Sequence, residues 1–190
     1  MIACPYSGNV DPTAVKSVTK ALLDMGCYEV SLGDTVGMGT PATVRSMLET
    51  VMGGAGIPAS KLAVRANFYW VLPVHALIRF SFEGHFHDTF GTAVANVMTA
   101  LDMGLRTIDA SVGGLGGCPY SPGATGNVAT EDVLYALQGS NYTAPGDLNE
   151  MVNIGAWISE KLGRRNASKA GTAILAKKKR EEEKAAKAML

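Results

Sequence analysis

Strand-like and helix-like apolar stretches alternate along this chain, and that alternation predicts an α/β fold built on a parallel sheet. Two further observations point the same way. Asp34, His85, His87 and Cys118 all fall just where strands are expected to end, which is where parallel α/β folds gather their chemistry. The length of 190 residues and a hydrophobic content of 47% suit one domain, or a piece of a larger one, with a sizeable core.

The elements follow in order. Asp11-Pro12 predicts a helix running to Met25, with Asp as N-cap, Pro in the first turn and Val15, Val18 and Leu22 on one stripe; Gly26 stops it. Residues 28–32 read as a strand leading into Gly33-Asp34-Thr35. Thr40-Pro41 opens a second helix, apolar at Val44, Met47, Leu48 and Val51 and ending at Gly53-Gly54. A strand is expected from Lys61 to Val64. Gly91 to Met103 reads as helix, ended by Gly104, and Thr107 to Val112 as the next strand. Thr130-Glu131-Asp132 is expected to cap a helix through Leu137, and another helix is expected from about Asp147 to Leu162.

Composition excludes several function classes. Seventeen basic and seventeen acidic residues cancel, so no net field favours nucleic acid or an anionic membrane. The three cysteines, at 4, 27 and 118, have no disulfide or zinc-type spacing, which suits a reducing compartment. No apolar run reaches the eighteen or so residues of a membrane span. Met1-Ile2-Ala3 leads straight into Cys4-Pro5-Tyr6, unlike a signal or transit peptide.

Two motifs carry chemistry. In His85-Phe86-His87-Asp88-Thr89, an extended backbone points both imidazoles to one face, a ready pair of ligands for a divalent metal that a carboxylate or amide could complete. The alternative is a pair of surface histidines on a loop. The second motif is residues 111–127, where Cys118 and Asn127 sit in a stretch too rich in glycine for a helix. It reads as a loop presenting a thiol and an amide to a small molecule, or as a buried free cysteine beside a turn. Asp34 could serve the site or simply a turn, and Asp88 and Asp109 are expected to support structure or ligands rather than bind substrate.

Cys4-Pro5-Tyr6, the segment 28–35, His85-Phe86-His87-Asp88-Thr89, the Gly113 to Tyr120 loop and Gly126-Asn127-Val128-Ala129-Thr130-Glu131-Asp132 together resemble the hydroxymethylglutaryl-CoA lyase family, in that family's order and over about residues 1 to 170. The Gly-Leu-Gly-Gly-Cys-Pro-Tyr loop is the most specific of these; the His-x-His-Asp is shared with related TIM-barrel aldolases and acyl-CoA-condensing synthases. The resemblance implies the C-terminal half of a TIM (β/α)8 barrel, about strands 5 to 8. It implies cleavage of 3-hydroxy-3-methylglutaryl-CoA to acetyl-CoA and acetoacetate, as in leucine breakdown and ketone-body formation. It further implies a Mg2+ or Mn2+ ion held by His85 and His87 with Asn127 close to or on the metal. Cys118, as a mobile-loop thiol assisting proton transfer, and His85 would be catalytic, and Asp34 would help hold the metal and substrate region. An acyl-CoA is the implied partner, with no nucleic acid or membrane, in a homo-oligomer when full-length. The implied compartment is the mitochondrial matrix, with the cytoplasm as alternative.

The chain departs from the family in three places. The Arg-Asp pair of the family's first strand and a glutamate of another early strand have no counterpart, so the chain alone is expected to turn over little substrate. Residues 65–84, rich in apolar and aromatic side chains, interrupt the family pattern between Val64 and His85 and suggest a translated intron or splice variant. Within them, Ile78 to Glu83 alternates well enough to replace the interrupted strand. Residues 171–190 read as a charged helical or disordered tail, after a lyase domain over residues 1–170. Two alternatives stand beside the lyase: an inactive truncated variant acting only by association, and a related aldolase or synthase.

Overall fold

The computed structural model describes residues 1–27, 29–53, 81–117, 123 and 126–189, with backbone alone for 81–83. The chain forms two compact units, residues 1–109 with 117–125 and residues 110–116 with 126–190.

The first unit opens with a short antiparallel hairpin, β1 (Ala3–Cys4) and β2 (Gly8–Asn9). Helix α1 (Pro12–Asp24) follows; the Asp11 carboxylate accepts from the Thr13 N–H at 2.8 Å, and Gly26, at φ 96°, turns the chain out of it. Strand β3 (Glu29–Asp34) leads to α2 (Pro41–Met52), whose first turn is closed by reciprocal bonds between Thr40 and Thr43. Then come β4 (Ser81–Phe86), α3 (Ala93–Asp102) and β5 (Thr107–Asp109). The three strands form a parallel sheet in the order β3-β4-β5, with Gly33, His85 and Asp109 in one row across it. Val30 and Leu32 of β3, Phe86 of β4 and the α2 stripe of Val44, Met47, Leu48 and Val51 are buried, as the apolar patterning requires.

The second unit begins with a parallel bridge between Ser111 and Ala129 and a single 3-10 turn, Val112–Gly114, in which Gly113 and Gly114 adopt φ of 60° and 64°. Helices α4 (Thr130–Leu137), α5 (Leu148–Lys161) and α6 (Lys169–Ala188) pack on one another around Val133, Leu137 and Val152. Asp147 caps α5 by accepting from the Glu150 N–H at 2.9 Å.

Several expectations shift. Strand β4 takes in residues 81–84, the last four of the interrupting segment; the strand expected at residues 61–64 lies outside the described residues. Helix α3 starts at Ala93, two residues after Gly91, because Gly91 sits at φ 74° and the Asp88 carboxylate takes the Ala93 N–H at 3.0 Å. Strand β5 stops at Asp109 rather than Val112, since the left-handed glycines draw Val112–Gly114 into a turn. Glu131 and Asp132 do not cap α4, whose N-cap is Ala129. Asp132 instead accepts from the Ser168 hydroxyl at 2.8 Å and the Ala170 N–H at 2.7 Å, tying the start of α6 to α4. The charged segment 171–188 is helical, continuous with α6 from Lys169. No described helix is long and apolar enough to cross a membrane.

Candidate metal centre

The parity of β4 decides which side chains form the site. Gly84 and Phe86 face the helices: Phe86 is 1% exposed, and a Cβ at Gly84 would meet its ring at 2.8 Å and Ile108 at 3.0 Å. His85 therefore projects from the opposite face, and His87, one residue past the strand, joins it. Their Nε2 atoms lie 3.2 Å apart, with ring centroids 5.1 Å apart and the rings tilted by 53°.

Parallel register puts Asp109 directly beside His85. Its Oδ2 lies 3.1 Å from His85 Nδ1. The carboxylate holds the proton on Nδ1 and leaves the Nε2 lone pair facing His87. His87 is 4% exposed and donates its backbone N–H to the Asp34 carbonyl at 3.2 Å, which fixes the chain just beyond β4 against the end of β3.

Asp34 is itself fully buried. Its Oδ1 accepts from the Gly37 and Met38 N–H groups at 3.1 and 3.2 Å, and its Oδ2 from Gly39 at 2.7 Å. Burial pushes the carboxyl above its ordinary range, opposed by those three N–H donors and by the positive potential of His87. The loop can wrap the carboxylate because a Cβ at Gly39 would fall 2.6 Å from Oδ2, and because Gly37, at φ 72°, lies against Thr89. Thr92 and Asn96 of the α3 region clamp the Gly39 carbonyl at 2.7 and 2.8 Å. Both oxygens of Asp34, expected to help hold the metal and substrate region, accept from the loop that follows β3.

Asn127 lies in the second unit. Its Nδ2 donates to the Leu115 carbonyl at 3.3 Å, and its Oδ1 is buried without a hydrogen-bond partner. A buried amide oxygen with no hydrogen-bond partner has a lone pair that a cation could use. The histidine pair meets the same requirement, for two nitrogens held about 2.1 Å from one ion lie roughly 3.0–3.4 Å apart at octahedral or tetrahedral angles. Among the described residues no three His, Cys, Asp or Glu side chains gather around one point. Cys118 lies outside the described residues.

Sequence reasoning expected the histidines to share a face and Asp109 to support ligands or structure, without naming His85 as the partner of Asp109. The signal for that pairing was the parallel alignment of two successive strands, which sets residues 24 positions apart side by side. Glu131, fully buried, was read as a cap and is instead a buried acceptor.

Comparison with known proteins extends these observations. The profile of the HMGL-like family matches residues 1–66 and 64–158. The chain is 48% identical over 181 residues to the hydroxymethylglutaryl-CoA lyase of Pseudomonas mevalonii, covering 95% of this chain and 53% of that protein. It is 48% identical over 174 residues to the mitochondrial enzyme of Arabidopsis thaliana, 92% of this chain and 32% of the other. It is 44% identical over 172 residues to the cytoplasmic 3-hydroxy-3-methylglutaryl-CoA lyase of Rattus norvegicus, 90% of this chain and 44% of that one. Among solved structures, the hydroxymethylglutaryl-CoA lyase of Pseudomonas aeruginosa superposes with a TM-score of 0.76 at 44% identity, over 93% of this chain and 51% of its own. An HMG-CoA lyase from Acinetobacter baumannii, in complex with coenzyme A and 3-methylmalate, gives 0.74 at 28% identity, over 90% of this chain and 49% of its own. The chain thus spans about half the length, or less, of the relatives it matches.

Proposed function

Because the chain belongs to the HMGL-like family, we propose that it supplies about strands 5 to 8 of a TIM-barrel lyase that cleaves 3-hydroxy-3-methylglutaryl-CoA to acetyl-CoA and acetoacetate. The observation that carries this reading is the histidine pair: two Nε2 atoms 3.2 Å apart at a parallel strand end, with Asp109 behind one of them. His85 and His87 would hold a Mg2+ or Mn2+ ion, with Asn127 Oδ1 as oxygen ligand. When bound, such an ion polarises the substrate's oxygens and lowers the cost of charge on them.

The remaining chemistry falls to side chains. Cleavage requires a base to take the tertiary hydroxyl proton; the hydroxyl carbon then becomes the ketone of acetoacetate as the C–C bond breaks and its electron pair passes to the acetyl-CoA fragment. That enolate takes a proton on carbon, and the Cys118 thiol is the donor we assign. Nε2 of His85 cannot both ligate an ion and accept a proton, so His85 acts in catalysis through the ion it holds, while its Nδ1–H stays with Asp109. Asp34 contributes by shaping residues 35–39 beside His87. No residue of this chain is assigned the hydroxyl proton in this scheme.

A homo-oligomer of the whole protein, in mitochondria or cytoplasm as its relatives' names divide, fits this assignment. A second reading, a truncated variant that acts only by association, is favoured by the interruption at residues 65–84. Incubating the chain with 3-hydroxy-3-methylglutaryl-CoA and Mg2+ or Mn2+, alone and with a chain carrying strands 1 to 4, tests both. Acetoacetate only in the combined reaction supports the lyase; none in either supports the inert variant.

A further inference from the structure

Resting on the reading of Asn127 as an ion ligand, we propose that Glu131 is a positioning residue that aims the Asn127 amide through the glycine turn between them. Glu131 is fully buried in the first turn of α4. Both oxygens accept from the Gly113 N–H, at 3.0 and 2.9 Å, and the carboxylate also meets its own backbone N–H and the Asn166 side chain. Gly113 begins the left-handed Gly113-Gly114 pair, and two residues later the Leu115 carbonyl accepts from Asn127 Nδ2 at 3.3 Å. With Nδ2 held there, Oδ1 is left as the free, buried acceptor.

The turn has little room to settle elsewhere. A Cβ at Gly126 would run into the Gly114 carbonyl, and one at Gly116 would stand 3.0 Å from Asn127 Nδ2. A Cβ at Gly155 of α5 would collide with Glu131 Oε1, so α5 presses the carboxylate onto Gly113. The turn is therefore gripped from both sides. Removing that acceptor leaves the Gly113 N–H buried and unpaired, which the turn relieves by rotating, carrying Leu115 and the amide with it.

The test uses the full chain. Exchange of the Asn127 side-chain amide protons is followed by NMR in wild type, Glu131→Ala and Glu131→Gln, with Mn2+ affinity measured by calorimetry on the same samples. We expect exchange at Asn127 to accelerate at least tenfold in Glu131→Ala and less in Glu131→Gln, which keeps one acceptor. Exchange at the α5 amides should hold at the wild-type rate, and Mn2+ affinity should fall in parallel, toward the tenfold or more lost when groups behind a metal ligand are removed. Unchanged exchange at Asn127 in both variants overturns the proposal, as does equal acceleration at α5, which would mean the whole unit opens. Asn127→Ala separates the proposal from its premise: if that variant binds Mn2+ as tightly as wild type while Asn127 still responds to Glu131, the ligand assignment falls and the positioning role stands.

Discussion

Nδ1 of His85 and Oδ2 of Asp109 lie 3.1 Å apart, brought together by the one-to-one register of β4 and β5. The contact fixes which ring nitrogen carries the proton and therefore which one can bind an ion. Asp109→Asn keeps the shape of the side chain but lets it offer an N–H where an acceptor is needed. Mn2+ affinity of the variant, measured by calorimetry, should fall about 10–100-fold with little change in thermal stability, because Asp109 is partly exposed.

The Asp34 carboxylate predicts a stability effect rather than a binding one. Asp34→Ala leaves three buried or half-buried N–H groups, at Gly37, Met38 and Gly39, without their acceptor. The expected cost is about 2–4 kcal/mol in urea unfolding. Gly39→Ala should be costly too, since its Cβ would press on both Oδ2 of Asp34 and Ile2. Wild-type midpoints in either variant would show that the loop is not built around this carboxylate.

Much of the fold was legible because its signals are local. Asp11-Pro12 and Thr40-Pro41 mark helix starts through side-chain oxygens placed to meet free N–H groups, and the α2 stripe marks a buried face. The His-x-His spacing marks a shared face once a strand is granted. What could not be read were contacts closed by tertiary structure. Glu131 and Asp132 look like a helix start, but one reaches back 18 residues to Gly113 and the other forward 38 to Ala170. The strand at 81–86 was in doubt because two segments could supply it. Parallel pairing to both neighbours, burying Phe86 and bringing His85 next to Asp109, falls to the later one.

Glu131 also predicts a pH dependence. Burial holds its carboxyl above the ordinary range, opposed by hydrogen bonds to its charged form. The folded chain therefore binds the proton more tightly than the unfolded one, so unfolding releases protons and stability falls as pH rises from about 4.3, the usual value for Glu. The loss is complete above the raised value. Glu131→Gln removes the titrating group. The stability of the variant relative to wild type should rise as pH increases from 4 toward 8. A difference that is flat across that span, or slopes the other way, contradicts the assignment.

Helix α2 offers a control remote from the ligands. Leu48 is fully buried on the stripe facing the core, so Leu48→Ala should cost about 2–5 kcal/mol. Mn2+ affinity well below the melting temperature should not change.

The account depends on two imidazoles converging on one ion, and Mn2+ titration of the full chain beside His85→Ala and His87→Ala tests that most directly. Wild type should bind one Mn2+ per chain, and each variant should lose at least tenfold in affinity while keeping its circular dichroism spectrum. Wild-type affinity in both variants would contradict it.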